Sequence, residues 1–188
     1  MICFVAISFN FATMLLADRK KEQNISQYII YMYQTELLIR NFEFDINEIQ
    51  AQIVDKIPEE TLDKEAKAEE IHWYSSMIDS MKSEGLEKEG HLKNVQEEVQ
   101  KLSDLNLKLL AEDQEYQMVF HAARPAIREN IIASEGLVSD PVQACLNGVF
   151  GLLIARMKDK KVSAETLAQI DQFGNVLSYL SHKFKTKA

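Results

Sequence analysis

"PVQACLNGVFGLLIARMKDKK", residues 141–161, is the most apolar stretch of the chain after its first seventeen residues. Asp140 precedes it as an N-cap residue and Pro141 takes the first helical position, an arrangement that suits both residue types. Gln143, Asn147 and Arg156 interrupt the apolar run, which is shorter than the about 20 residues that a membrane span requires. The stretch therefore predicts a core helix and excludes a transmembrane one.

One face of this predicted helix carries only small residues. Ala144, Gly148, Gly151 and Ala155 lie within about 60° of one another in a helical projection. A glycine inside a helix costs about 1 kcal/mol relative to alanine, so some packing advantage must offset it. We expect a neighbouring backbone to approach this face closely; room for a ligand is the alternative.

The rest of the chain has a helical apolar period nearly throughout. Asn24, Asp45 and Ser163 are suitable N-cap residues, and Pro125 is expected to kink or split its helix. The sequence predicts an all-α fold: a single-domain bundle of about seven helices with short loops and no sheet. The predicted helices begin near residues 25, 45, 59, 91, 114, 140 and 163.

Composition limits the classes of function. The chain has 188 residues and a formal net charge of −8, which argues against a general nucleic-acid-binding surface. Its two cysteines, Cys3 and Cys145, form no CxxC pair or disulfide framework, and this favours a reducing, cytoplasmic location. We interpret Cys145 as a small core residue and not as a nucleophile.

The first residues do not fit the rest of the chain. Residues 1–17 carry no charge and lack the positive region that opens a secretory signal. We expect residues 1–13 to be a non-native N-terminal extension, with Met14 as the true start and residues 14–188 as the single helical domain. A signal or a membrane anchor formed by residues 1–17 is the alternative; otherwise no membrane association is predicted.

The usual catalytic and metal-binding motifs are not convincing here. Glu69 and His72 have the Glu-x-x-His spacing of carboxylate-bridged iron proteins, but the sequence has no second such pair. It also lacks a Gly-x-Ser-x-Gly elbow and a glycine-rich phosphate loop. We predict no metal and no cofactor, and we lean against an enzyme.

Two charged residues lie on apolar helix stripes. Glu36 shares a face with four apolar residues of the first predicted helix, and Arg156 follows the apolar stripe of the helix that begins at Pro141. A buried charge must be paired, so we predict that Glu36 meets Arg156, or else Arg124 or Arg128. Such a pair could fix helix register, or it could floor a pocket together with His91 and Asn147.

Three segments resemble a bacterial family known only as domain of unknown function 4924. The resemblance covers about residues 14–185 and rests on "NISQYIIYMYQTELLIRNFEFDI", "HWYSSMIDSMKSEGLEKEGHL" and "CLNGVFGLLIARMKDKKVSAET". Its pattern includes Gln34 and Glu36, a Gly-His-Leu at 90–92, and Cys145 and Asn147 followed by Gly151 and Arg156. The resemblance implies an all-helical, cytoplasmic protein; it implies no activity, cofactor or site residue.

Two functions are compatible with these patterns. The first is a non-enzymatic protein that binds a protein partner or a second copy of itself through a helix face, with Met77, Met81, Met118 and the tyrosines lining an adaptable surface. The second is a small-molecule pocket floored by Glu36, His91, Asn147 and Arg156. Convergence of those four side chains around a cavity would distinguish them.

Overall fold

The computed structural model describes residues 14–186, which form eight α-helices and no strand. The all-α prediction is confirmed in this part of the chain, but the helix count is eight and not about seven. A 3-10 turn at Val54–Lys56 follows the third helix. The helices are α1 (Met14–Gln23), α2 (Ile25–Asn41), α3 (Ile46–Gln52), α4 (Lys64–Ser83), α5 (Lys93–Glu112), α6 (Gln114–Ala133), α7 (Pro141–Met157) and α8 (Ala164–Lys185).

Polar side chains set the starts of the helices. Asn24 accepts a hydrogen bond from the Gln27 N–H at 3.0 Å, and Asp140 accepts one from the Gln143 N–H at 2.8 Å. Ser163 accepts one from Thr166 at 3.0 Å in the same way. Each bond satisfies a backbone donor that has no partner inside its own helix. The predicted starts of α2, α7 and α8 are thereby confirmed.

The helix that the sequence did not predict is α1. Its ten residues, MLLADRKKEQ, bury one side chain, Ala17, and so show no apolar period of their own. The helix is held by packing against α2 instead. A short helix is marginal without such tertiary contacts, and these are not visible in the local sequence.

Pro125 does not split its helix. The α6 helix continues from Gln114 to Ala133 with the proline inside it. Ala123, Ala126 and Ile127 on either side of the proline are buried, so their packing holds the helix together where one backbone hydrogen bond is missing. The prediction of a split is therefore wrong, and its alternative, a kink at Pro125, stays a prediction.

The α2 helix is the centre of the bundle. It contacts α1, α4, α5, α7 and α8, and its residues Ile29, Tyr33 and Ile39 are fully buried. The α2 helix packs closely against α8 at Ser26, whose hydroxyl oxygen lies 2.7 Å from that of Ser181. Any polar group on the inward face of α2 must therefore find its partner inside the protein.

The α7 helix is less buried than its sequence suggests. Its buried residues are all in the first half: Val142, Ala144, Cys145 and Leu146. From residue 147 to residue 169, through the rest of α7 and the first turns of α8, no side chain is buried.

The described helices include none that is both long and apolar enough to cross a membrane.

The small-residue face of α7 is packed at one glycine only. A Cβ at Gly148 would lie 2.6 Å from two ring atoms of Phe173 on α8, so the ring occupies the space that the glycine leaves. A Cβ at Gly151 would meet nothing within 4 Å. The predicted close approach thus involves an aromatic side chain, not a backbone, and the half of the face at Gly151 is open.

Candidate functional site

Glu36 is a fully buried carboxylate on α2. Its Oε2 lies 2.6 Å from Nδ1 of His91, and its Oε1 accepts a hydrogen bond from the backbone N–H of Leu92 at 3.0 Å. Both oxygens are therefore satisfied within the loop that precedes α5. The expectation that this charge is inward and has a partner agrees with the geometry.

The predicted partner was wrong. His91, and not Arg156, Arg124 or Arg128, contacts Glu36, and all three arginines are exposed. Arg156 lies in the last turn of α7, where the stripe that precedes it is no longer buried. Arg124 and Arg128 lie on the solvent side of α6, where long cationic side chains reach water without cost.

An arginine that the sequence did not single out completes the arrangement. Arg40 lies one helical turn after Glu36, and its Nε donates to the carbonyl of Leu86 at 2.9 Å. Its Nη2 donates to the carbonyl of Gly90 at 2.6 Å. Burial lowers the pKa of the Arg40 guanidinium, and the nearby charge of Glu36 acts in the opposite direction. We call Glu36 and Arg40 the α2 clamp.

The α2 clamp holds the loop at residues 84–92, which joins α4 to α5. Gly90 adopts a φ of 90°, a conformation that side-chain-bearing residues rarely reach, and a Cβ there would lie 2.9 Å from Leu86. Glu84 accepts a hydrogen bond from the N–H of Lys93 at 2.7 Å and so closes the loop at its other end. The carboxylate of Glu36 thus binds one backbone donor of the loop, and the guanidinium of Arg40 binds two of its carbonyls.

We expect Arg40→Lys to loosen this loop without unfolding the protein. Lysine keeps the charge but replaces the planar guanidinium, which reaches two carbonyls at once, by a single ammonium. The expected cost is about 1–2 kcal/mol of unfolding free energy, with faster amide hydrogen exchange confined to residues 86–92. Unchanged exchange in that loop would contradict the clamp. Exposed Lys101→Arg on α5 is the control for exchanging the two cations.

A chain of polar contacts extends from His91 to α7. The ring of Tyr33 stacks on that of His91 with centroids 3.4 Å apart, and the Tyr33 hydroxyl accepts hydrogen bonds from Gln96 at 2.9 Å and Gln143 at 3.1 Å. Gln143 also donates to Asn147 at 2.7 Å. Burial raises the pKa of Tyr33 to about 12, so its hydroxyl stays protonated.

The structure thus brings together three of the four residues predicted to floor a pocket. Glu36, His91 and Asn147 belong to one network, joined through Tyr33 and Gln143. Arg156 does not join it, because it lies nine residues beyond Asn147 on α7, about 13 Å along the helix axis.

Neither of the two cavities described in the structure is lined by Glu36 or His91. One of about 170 Å³ lies between α1, α2 and α4, and its wall includes Leu92 but neither Glu36 nor His91. The other, about 400 Å³, is an open depression around residues 41–52 whose acidic residues are Glu43, Asp45 and Glu48. Asp45 already caps α3 there, because its Oδ1 accepts a hydrogen bond from the N–H of Asn47.

The model of the family Domain of unknown function (DUF4924) matches residues 14–188. The chain belongs to this family. No curated protein and no solved structure matches the chain. In this DUF4924 chain, Glu36 and the Gly-His-Leu at 90–92, which carry part of the resemblance, are in direct contact through the α2 clamp.

Sequence reasoning missed four members of this site in the DUF4924 chain. Arg40 shares a helix face with Glu36 at four-residue spacing, which was the available signal. Gln143 and Asn147 have the same spacing on α7. Nothing in the sequence links Tyr33 or Gln96 to them, because the contact between Tyr33 and Gln96 spans 63 residues.

The remaining candidates lie apart from the network. Cys145 is fully buried, and burial raises its thiol pKa to about 12, which confirms a core residue. Met77 and Met81 are buried in the core, so only Met118 lines a surface, and that part of the prediction is corrected. Glu69 and His72 are exposed, and within residues 14–186 no cluster of three His, Cys, Asp or Glu residues could hold a metal ion.

Proposed function

We propose that this protein acts by self-association, without catalysis, through the surface formed by residues 147–169. The observation that carries the proposal is the absence of any buried side chain along these residues, which include the apolar run VFGLLIARM. We call this surface the hairpin tip, because it consists of the end of α7, the turn after it and the start of α8. Most of its apolar residues lie within 149–157 and are partly exposed, next to the charged residues of the turn; such an apolar patch with a polar rim is typical of protein interfaces.

The residues of the hairpin tip are of the kind that interfaces bury. Val149, Phe150 and Leu152 pack against the core but remain partly exposed. Leu153, Ile154 and Met157 are also partly exposed, and Leu167 on α8 is 36% exposed. Since apolar area gains about 25 cal/mol per Å² when it leaves water, covering these side chains favours association.

A second copy of the chain suits this surface better than a different protein. Gly151 and Ala155 leave a shallow, open place on α7 where another helix can approach closely. A two-fold axis beside Gly151 would pair the helix with its own antiparallel copy, the commonest symmetry of homo-oligomers. Because Arg156 follows Gly151 by five residues, the two Arg156 side chains would lie about 15 Å apart, beyond the screening length of about 8 Å.

Native mass spectrometry and sedimentation velocity test the proposal directly. We expect the wild type to form a concentration-dependent dimer and Gly151→Arg to be monomeric. The monomer has open space at this position, so the arginine should not disturb its own fold. Gly174→Arg is the matched control, because Gly174 is also an open helical glycine but lies on α8 between exposed Asp171 and Ser178.

The two arginine variants should therefore differ in mass and agree in helical circular dichroism. A monomeric wild type at all concentrations would overturn self-association. A dimer that tolerates Gly151→Arg as well as Gly174→Arg would place the interface elsewhere and overturn the role of the hairpin tip.

A small-molecule site at His91 is the second candidate. Its supporting observation is that Glu36 and Tyr33 fix the imidazole while its side chain remains 24% exposed. A histidine held through Nδ1 by a carboxylate has its Nε2 oriented for a ligand or a proton. Native mass spectrometry of the same preparation tests this, since a bound molecule that is lost in His91→Ala would support it and an unliganded mass would contradict it.

The proposal places the protein in the cytoplasm. Its support is the chemistry of the cysteines: Cys145 is free and fully buried, and a reducing compartment keeps such a thiol unchanged. Fractionation of the native protein is the corresponding measurement.

A further inference from the structure

Glu70 on α4 is a second buried carboxylate, only 2% exposed. Its two oxygens lie 3.0 and 2.8 Å from one atom, the main-chain nitrogen of Met14 at the start of α1. Burial raises the pKa of Glu70 to about 7, although the hydrogen bond from Met14 acts in the opposite direction. The contact with this nitrogen therefore leaves the carboxylate poorly stabilised.

The chemistry of the nitrogen explains the mismatch. A peptide nitrogen carries one hydrogen and no charge, so it cannot make two good hydrogen bonds to a carboxylate. The buried Glu98, by contrast, has the cations of Lys21 and Lys101 at 3.2 Å. An α-ammonium group at the position of the Met14 nitrogen would supply three hydrogens and the missing charge.

We propose that Glu70 is the binding site for the α-ammonium group of a chain whose first residue is Met14. The residue at this position is a methionine, the residue with which translation starts, and the family match also begins there. A methionine retained at this position would place its ammonium on Glu70.

The surroundings of Glu70 support an ammonium partner. The titratable groups around it include the buried Tyr74 on α4, whose pKa is raised by burial and, to a lesser degree, by the buried Tyr31 on α2 and by Glu70 itself. Within residues 14–186, no lysine, arginine or histidine forms an ion pair with Glu70. An ammonium at a helix start is opposed by the positive end of the helix dipole, so it needs such a carboxylate.

This site is tested with two lengths of the chain, each prepared with and without the substitution Glu70→Gln. One chain comprises residues 1–188 and the other residues 14–188, which contain every helix described here. In the shorter chain, Glu70→Gln leaves a buried ammonium without its counter-charge and should lower Tm by about 5–10 °C. In the longer chain, the same change removes an uncompensated buried carboxylate, so Tm should stay constant or rise.

This reversal of sign is the decisive result, because a merely structural role for Glu70 would lower Tm in both chains. Glu98→Gln is the matched control: it removes another buried carboxylate, one whose partners are lysine side chains present in both chains. Equal effects of Glu70→Gln in the two chains would overturn the proposal.

The pH dependence gives an independent readout. In the longer chain the pKa of Glu70 is about 7 when folded, above its ordinary value near 4.5, so the folded state binds the proton more tightly. Its stability should therefore fall as the pH rises from about 4.5 to about 7, and this fall should vanish in the shorter chain, where the ammonium stabilises the carboxylate. The same fall in both chains would count against the site.

The mass of the protein purified from the cells that naturally produce it gives a third readout. A mass that corresponds to residues 14–188 with a free amine is expected. A native chain that retains residues 1–13, or a blocked amine on Met14, would overturn the proposal.

Discussion

Replacing Glu36 by alanine is expected to lower the unfolding free energy by about 3–5 kcal/mol, because two donors lose their acceptor at about 1–3 kcal/mol each and the removed side chain leaves a cavity. Nδ1 of His91 and the N–H of Leu92 would both lose their acceptor inside the protein. For a domain of this size, such a loss lowers Tm by about 10 °C. Thermal unfolding followed by circular dichroism measures it.

Two further substitutions separate the effect of removing a buried side chain from the effect of removing its charge. Exposed Glu97→Ala on α5 is the control and should change Tm by little. Glu36→Gln should lie between the two, since its amide oxygen can still accept from Leu92 but the charge that attracts His91 and Arg40 is gone. We expect faster amide exchange at residues 84–92 in both Glu36 variants. A Tm shift as small as that of Glu97→Ala would refute the buried pair.

The sequence was sufficient to predict that Glu36 is inward but not which residue it meets. Its position on an apolar stripe follows from the helical period, which is a local property. Its partner His91 is 55 residues away and lies in a loop whose path depends on Gly90 and Arg40. Such a path has no periodic signature, so the sequence analysis assigned the charge of Glu36 to an arginine and named His91 only as a neighbour in a pocket.

A similar limit applies to α7. Its apolar residues, Asp140 and Pro141 predicted a helix, and the helix is there. How much of it is covered depends on neighbours that the local sequence does not contain: α7 packs against α2, α5, α6 and α8, and its buried side chains lie in the first half, around Val142 and Cys145, whereas residues 147–157 have none. The sequence could therefore predict that α7 is an apolar helix, but not how much of it is buried.

The two glycines of α7 show this difference in a form that can be measured. Gly148→Ala places a methyl group 2.6 Å from the ring of Phe173, which is itself 2% exposed and cannot move without displacing core neighbours. Overpacking of about 3 kcal/mol, reduced by about 1 kcal/mol of improved helix propensity, gives a net loss of about 2 kcal/mol. Gly151→Ala has no such clash and should gain about 1 kcal/mol.

The two alanine variants should therefore differ by about 3 kcal/mol, or about 6–12 °C in Tm, although they make the same chemical change three residues apart on one helix. Gly174→Ala, at another open glycine, measures helix propensity alone and should match Gly151→Ala. The measurement is made at a dilution at which the wild type is monomeric, so that an interface at Gly151 does not contribute. Equal Tm values for the Gly148 and Gly151 variants would mean that Phe173 gives way freely, and close packing would then not explain why Gly148 is a glycine. A Tm difference of the expected size would instead mean that Gly148 is needed for packing in the core, whereas Gly151 is open to a partner.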